Sequence, residues 1–168
     1  MKVLFMDVDG VLNDEDWWRT RSPKPDPRHP PEILVKNIDT SRVILINEIV
    51  ARTGCEVVLS SATRSNPLMP EVLLLAGLAK PLLGAIPIMQ FAHTFRDFDG
   101  AERTLWIEKT RAEEVEEWLR LNPGVEAYAV VDDQDHGWAE AMESRLVRTS
   151  MATGLTQDHV EAIVELLR

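Results

Sequence analysis

The sequence predicts an α/β layered fold with a mainly parallel sheet of five strands. Short apolar runs of strand length alternate with longer stretches whose apolar residues recur at helical spacing. Strands that alternate with helices pair in parallel and bury both faces of the sheet under helices. The length, 168 residues, suits one domain and suffices to bury about 70% of the surface an unfolded chain exposes.

The expected strands are residues 3–7, 56–60, 85–89, 127–131 and 145–148. Pro87 cannot donate to a ladder, so the third run is either an edge strand or no strand. The first helix is expected from Thr40, with Val43, Ile46, Ile49 and Val50 on one face and Gly54 as its stop. Pro70 suits a first turn before residues 72–75, with Gly77 ending that helix. Residues 110–121 place Ala112, Val115, Trp118 and Leu119 at helical spacing before Asn122-Pro123-Gly124. The last helix starts at Thr156 and buries Val160, Ile163, Val164 and Leu167. Half of the ten prolines fall in residues 23–31, so residues 13–39 read as an irregular flap.

Composition narrows the function classes. A net charge of −10 disfavours general binding to a nucleic-acid backbone or an anionic membrane. The single Cys55 can form neither an internal disulfide nor a cysteine zinc site, which fits a reducing, cytoplasmic setting. There is no membrane-spanning apolar run, and an aspartate follows residues 1–6 too soon for a signal peptide. The four histidines lack zinc-ligand spacing. Trp118 and most methionines read as core.

Chemistry concentrates at strand ends, where parallel sheets gather it. The first strand ends in Asp7-Val8-Asp9-Gly10, two carboxylates followed by a turn-permitting glycine. The same pattern occurs in turns and in calcium loops, but no glutamate stands at the twelfth loop position. The second strand leads into Ser60-Ser61-Ala62-Thr63-Arg64, hydroxyls and backbone N–H groups suited to phosphate oxygens, or simply a loop start. The fourth ends in Asp132-Asp133, a pair that repels itself unless a cation neutralises it, or else caps a helix.

These signals, in this order, resemble the motifs of the haloacid dehalogenase-like (HAD) superfamily over residues 3–135. The resemblance implies a three-layer Rossmann-like fold and a magnesium-dependent phosphatase. It implies Asp7 as nucleophile, Asp9 as general acid and base, and Ser61 as phosphate ligand, with Ser60, Ala62 and Arg64 beside it. Magnesium would be held among Asp7, Asp9, Asp132 and Asp133. The lysine motif is open: Lys109 ranks ahead of Lys80, and Arg111 is the third candidate. Arg111-Ala112-Glu113-Glu114-Val115 and the tail Leu146-Val147-Arg148-Thr149 resemble a compact subgroup similar to domains of RNA-repair enzymes.

Only 27 residues (13–39) separate the first motif region from the first long helix, and 44 separate Arg64 from Lys109, so no large cap domain fits. An open site admits a phosphorylated small molecule, a nucleotide or a polynucleotide end, and leaves room for a partner subunit in an oligomer to cover it. Residues 19–36 carry five basic against two acidic side chains, so Arg19 and Arg21 are candidate substrate contacts. A receiver-like phosphoacceptor or binding module would need its aspartate after a central strand, where serine stands. A metal-dependent nuclease would need a glutamate-led acidic set, which the sequence lacks.

Overall fold

A computed structural model describes residues 1–21, 26–138 and 142–168. Five strands, β1 (Lys2–Met6), β2 (Glu56–Leu59), β3 (Gly84–Ala85), β6 (Ala127–Asp132) and β7 (Leu146–Arg148), form one parallel sheet in the order β3-β2-β1-β6-β7. β3 lies at the edge and is only two residues long: the expected run 85–89 contributes Ala85 alone, and the residues around Pro87 leave the sheet.

Side chains alternate across β1 and divide the core into two layers. Leu4 and Met6 join Val57, Leu59, Ala129 and Val131 under α3 (Thr40–Thr53), α4 (Met69–Leu75) and α6 (Gln157–Leu166). Val3 and Phe5 join Val58 and Val130 under α5 (Arg111–Leu121), against Val115, Trp118 and Trp138. The rings of Phe5 and Trp118 meet edge to face at 5.3 Å. Truncating Phe5 to alanine would cost about 3–5 kcal/mol, since neither layer can close over the hole.

Local signals fix the helices. Asp39, one residue ahead of the expected Thr40, caps α3 by accepting the Ser41 N–H at 2.9 Å. Gly54 ends that helix in the left-handed region at φ +71°. Thr110 and Glu113 form a reciprocal capping box at the start of α5.

Two expectations need correction. Residues 13–39 are not simply irregular: they hold α1 (Glu15–Thr20), α2 (Pro31–Leu34) and a 3-10 turn, Val35–Asn37. Pro31 opens α2, where a missing N–H costs nothing; Pro23, Lys24 and Pro25 lie outside the described residues. Asn13 closes the base of this flap by accepting the Asp39 N–H at 3.0 Å. The second correction is an antiparallel hairpin between β3 and α5 that the sequence reading left out: β4 (Gln90–Arg96) and β5 (Glu102–Glu108), joined by a turn ending in Asp99-Gly100. It is the insertion at the place where a cap would stand, and it is far smaller than a domain. No helix among the described residues is long and apolar enough to cross a membrane.

Candidate functional site

The sheet order reverses at β1 and β6, so the crevice beyond their carboxyl ends is the topological switch point. Strand parity delivers the acidic groups there. Asp7 continues the Val3–Phe5 row and its N–H still pairs with Val131 O at 3.1 Å; Asp132 continues the row of Val130. Both carboxylates therefore point toward the layer of α5, whose first residue is Arg111. Arg111 Nη1 lies 3.4 Å from Asp7 Oδ2 and 3.2 Å from Asp132 Oδ2, with all three side chains nearly buried.

Asp133 completes the cluster. One oxygen each of Asp7, Asp132 and Asp133 lies within 4.8 Å of the others. Gly10 makes room for it: its φ is +79°, and a Cβ there would stand 2.2 Å from Asp133 Cγ. The Gly10 carbonyl accepts the buried Thr149 hydroxyl at 2.7 Å, which pins the turn to the loop after β7.

Crowding of anions shows in the proton affinities. Burial first, and then the negative charge of Asp7, push the Asp132 carboxyl up to about 7, against the pull of the Gln134 N–H and Arg111. Asp133 is raised for the same two reasons, with Asp9 adding to them. Burial lowers His136, whose Nε2 stands 3.7 Å from Asp132 Oδ1. One oxygen of Asp133 is buried with no hydrogen-bond partner among the described residues. An orphaned carboxylate oxygen facing two further carboxylates is what a hard cation with oxygen ligands would satisfy. The donor set therefore fits a divalent metal.

Asp9 is placed differently from the expectation that it joins the metal set. Its carboxylate is not one of the three clustered groups; Oδ1 accepts from Asn13 Nδ2 at 3.3 Å. Asn13 thus holds both Asp9 and the base of the flap, a role the sequence reading did not assign.

Ser60 and Ser61 are buried at the end of β2. Ser61 Oγ accepts the Thr63 N–H at 3.3 Å and so opens the 3-10 turn Ala62–Ser65. The Ser60 hydroxyl has no partner among the described residues. Arg64 does not extend freely: Nη1 donates to Ser61 O at 2.9 Å and Nη2 to Glu114 Oε2 at 2.5 Å.

The order given to the basic candidates is also revised. Lys109 Nζ is 2.9 Å from Glu113 Oε1, and that pair with Thr110 holds the Glu113 carboxyl down at about 2. Lys80 pairs with Glu56 at 2.7 Å, at the opposite end of β2 from the site. Only Arg111 among the three reaches the aspartates, because the first turn of α5 aims it at the sheet and leaves Lys109 before the helix. Arg19 pairs with Asp16 at 3.0 Å, and the Arg21 guanidinium sits 4.3 Å above the Trp17 ring, so both keep their contacts within or beside α1.

A cleft of about 480 Å³ adjoins the cluster, lined by Arg64, Lys109, Arg111 and His136 with Ala62 and the hairpin root at Ile88 and Glu108. A larger cavity lies away from the cluster, between the flap and the start of α4. Arg111, which reaches the aspartates, and the turn after Ser61 line the first and not the second, so the candidate site is the smaller one.

A family model described as the HAD domain in Swiss Army Knife RNA repair proteins matches residues 3–160. The chain belongs to this family. The match runs from β1 into α6, so it includes every strand and helix that brings a side chain to the site. No curated protein and no solved structure matches the chain. Within this HAD domain Arg111, and not Lys109, is the one of the three basic candidates that pairs with the acidic cluster.

Proposed function

We propose that this HAD domain is a magnesium-dependent phosphatase that hydrolyses phosphomonoesters through an aspartyl-phosphate on Asp7. The observation that carries the reading is the convergence of Asp7, Asp132 and Asp133 with Arg111 at the strand ends, next to the Ser60 hydroxyl, which has no partner among the described residues.

Asp7 is fixed for attack: its Oδ1 accepts the Val8 N–H at 2.7 Å, which leaves Oδ2 toward the crevice and Arg111. An Asp7 oxygen bonds to phosphorus while the bond from phosphorus to the ester oxygen breaks, and Asp9 gives that oxygen its proton. Water then attacks the phosphorus of the acyl phosphate, Asp9 takes a proton from it, and inorganic phosphate leaves with Asp7 restored. Asn13 keeps the Asp9 carboxyl oriented through both steps. Ser61 and the turn after it bind the phosphate oxygens, and Arg111 balances charge on phosphate and nucleophile together.

Asp7, Asp132 and Asp133 would hold the magnesium ion, with Asp133 in direct contact and Asp132 supporting. When bound, the ion supplies positive charge that lets an anionic nucleophile approach an anionic phosphate. The family description favours a phosphorylated nucleotide or RNA end as substrate, and an open crevice without a large cap accommodates one. Arg19 and Arg21 would meet the part of such a substrate beyond the phosphate.

The test is phosphate release from p-nitrophenyl phosphate and from phosphorylated oligonucleotide ends, with magnesium and with EDTA. Release that needs magnesium and disappears in Asp7→Asn supports the reading. Phosphodiester cleavage without phosphate release would make the domain a nuclease, and neither activity would leave a binding module.

A further inference from the structure

Glu114 is a charged residue on the buried stripe of α5, between Arg111 one turn earlier and Trp118 one turn later, and it is only 3% exposed. Each of its two oxygens has a separate task. Oε2 accepts from Arg64 Nη2 at 2.5 Å, while Oε1 accepts the Met89 N–H at 2.9 Å. Arg64 continues the first connection, because its Nη1 donates to the carbonyl of Ser61. Met89 continues the second: its carbonyl accepts the Lys109 N–H at 2.9 Å, closing the hairpin root just before β4.

We infer that Glu114 is a positioning residue whose two carboxylate oxygens join the phosphate-binding turn to the root of the β4–β5 hairpin. Two walls of the cleft, the Ala62–Ser65 turn and the segment around Ile88, are thereby held to α5, the helix that carries Arg111. Without this joint the hairpin has little to seat it, since its side chains are almost all exposed and a two-stranded hairpin is marginal by itself. A carboxylate is required because both partners are donors. Glutamine has the same shape but one acceptor oxygen; in either amide orientation its NH₂ faces a donor, and one of the two contacts is lost.

The effect on substrate rests on the phosphatase reading, whereas the joint itself does not. The experiment therefore has two arms on the full chain: amide hydrogen exchange, and kinetics with p-nitrophenyl phosphate. In Glu114→Ala, exchange should rise about tenfold at residues 62–66 and at 89–90, with other core amides unchanged. In Glu114→Gln, it should rise at one of those segments. KM should increase about tenfold in Glu114→Ala, about the lower limit for loss of a hydrogen bond to a charged group, while kcat changes less. If the alanine variant fails to fold, the glutamine variant carries both measurements.

Unchanged exchange at both segments in the folded variants would overturn the joint. Faster exchange with an unaltered KM would reduce Glu114 to a structural residue and overturn its positioning role. A wild-type chain that releases no phosphate would sink the phosphatase reading alone, and the exchange arm would still decide the joint.

Discussion

Arg111 Nη1 stands 3.2 Å from Asp132 Oδ2, and the same nitrogen is 3.4 Å from Asp7, so one guanidinium spans the aspartates of the two strands that flank the switch point. On the proposed phosphatase reading, it is the cation that would neutralise a phosphate bound at Asp7. Arg111→Ala should therefore lower kcat/KM for p-nitrophenyl phosphate by about 10²- to 10³-fold, as for loss of a donor aimed at developing charge. Lys109→Ala removes a part-exposed i,i+4 pair of a kind worth about 0.3–0.5 kcal/mol and should change the rate little. Equal losses in the two variants would return Lys109 to candidacy.

Gly10 controls where Asp133 can sit. Gly10→Ala puts a methyl group into the Asp133 carboxyl and strains a residue held at φ +79°. Magnesium should stabilise the wild-type chain by RT ln(1 + [Mg²⁺]/Kd), seen as a higher melting temperature, and should raise that of Gly10→Ala and Asp133→Asn much less. A full magnesium response in Asp133→Asn would remove that carboxylate from the metal set.

The raised proton affinity of Asp132 makes stability depend on pH in the absence of metal. A carboxyl that moves from 3.8 to about 7 on folding binds its proton more tightly in the native state. Its contribution is full below the unfolded value and is lost as pH rises through about 7. Asp132→Asn has no charge to bury, so in EDTA it should gain on the wild type as pH rises from 5 to 8, by roughly 2–4 °C for each kcal/mol recovered. His136, lowered by burial, works in the opposite sense and only at acid pH, so the range above its ordinary value reads Asp132. A melting-temperature difference that stays flat across that range would contradict the assignment.

Much of this was legible in the sequence, and the failures have physical causes. Five apolar runs gave the sheet, because buried parallel strands must be apolar on both faces. Pro87 marked its edge. The hairpin escaped because both of its faces are exposed, so no apolar alternation set it apart; the signal present was Asp99-Gly100 between two threonine- and aromatic-bearing runs. Lys109 and Arg111 lie two residues apart, and spacing alone does not say which one faces the sheet; helix phase does. Glu114 had its own signal, a charge at the centre of the stripe formed by Ala112, Val115 and Trp118. Asn13 and Thr149 had none, since their partners are distant in the chain or belong to the backbone.

Arg21 leans on the ring of Trp17 at the mouth of the flap, whereas Arg19 is held by Glu15 and Asp16. Arg21→Ala should raise KM for a phosphorylated oligonucleotide and leave that for p-nitrophenyl phosphate nearly unchanged, because only the remote part of the substrate is affected. The same loss with both substrates would place Arg21 in the chemistry or the fold.

On the proposed mechanism Asp7 carries the phosphoryl group, and an acyl phosphate formed there can be trapped. The chain is quenched with borohydride during turnover of p-nitrophenyl phosphate with magnesium, and its peptides are mapped by mass spectrometry. Reduction should convert residue 7, and no other carboxylate, to homoserine, only when substrate is present. Continued phosphate release with Asp7 unmodified, or the modification at Asp9, Asp132 or Asp133 instead, would contradict it.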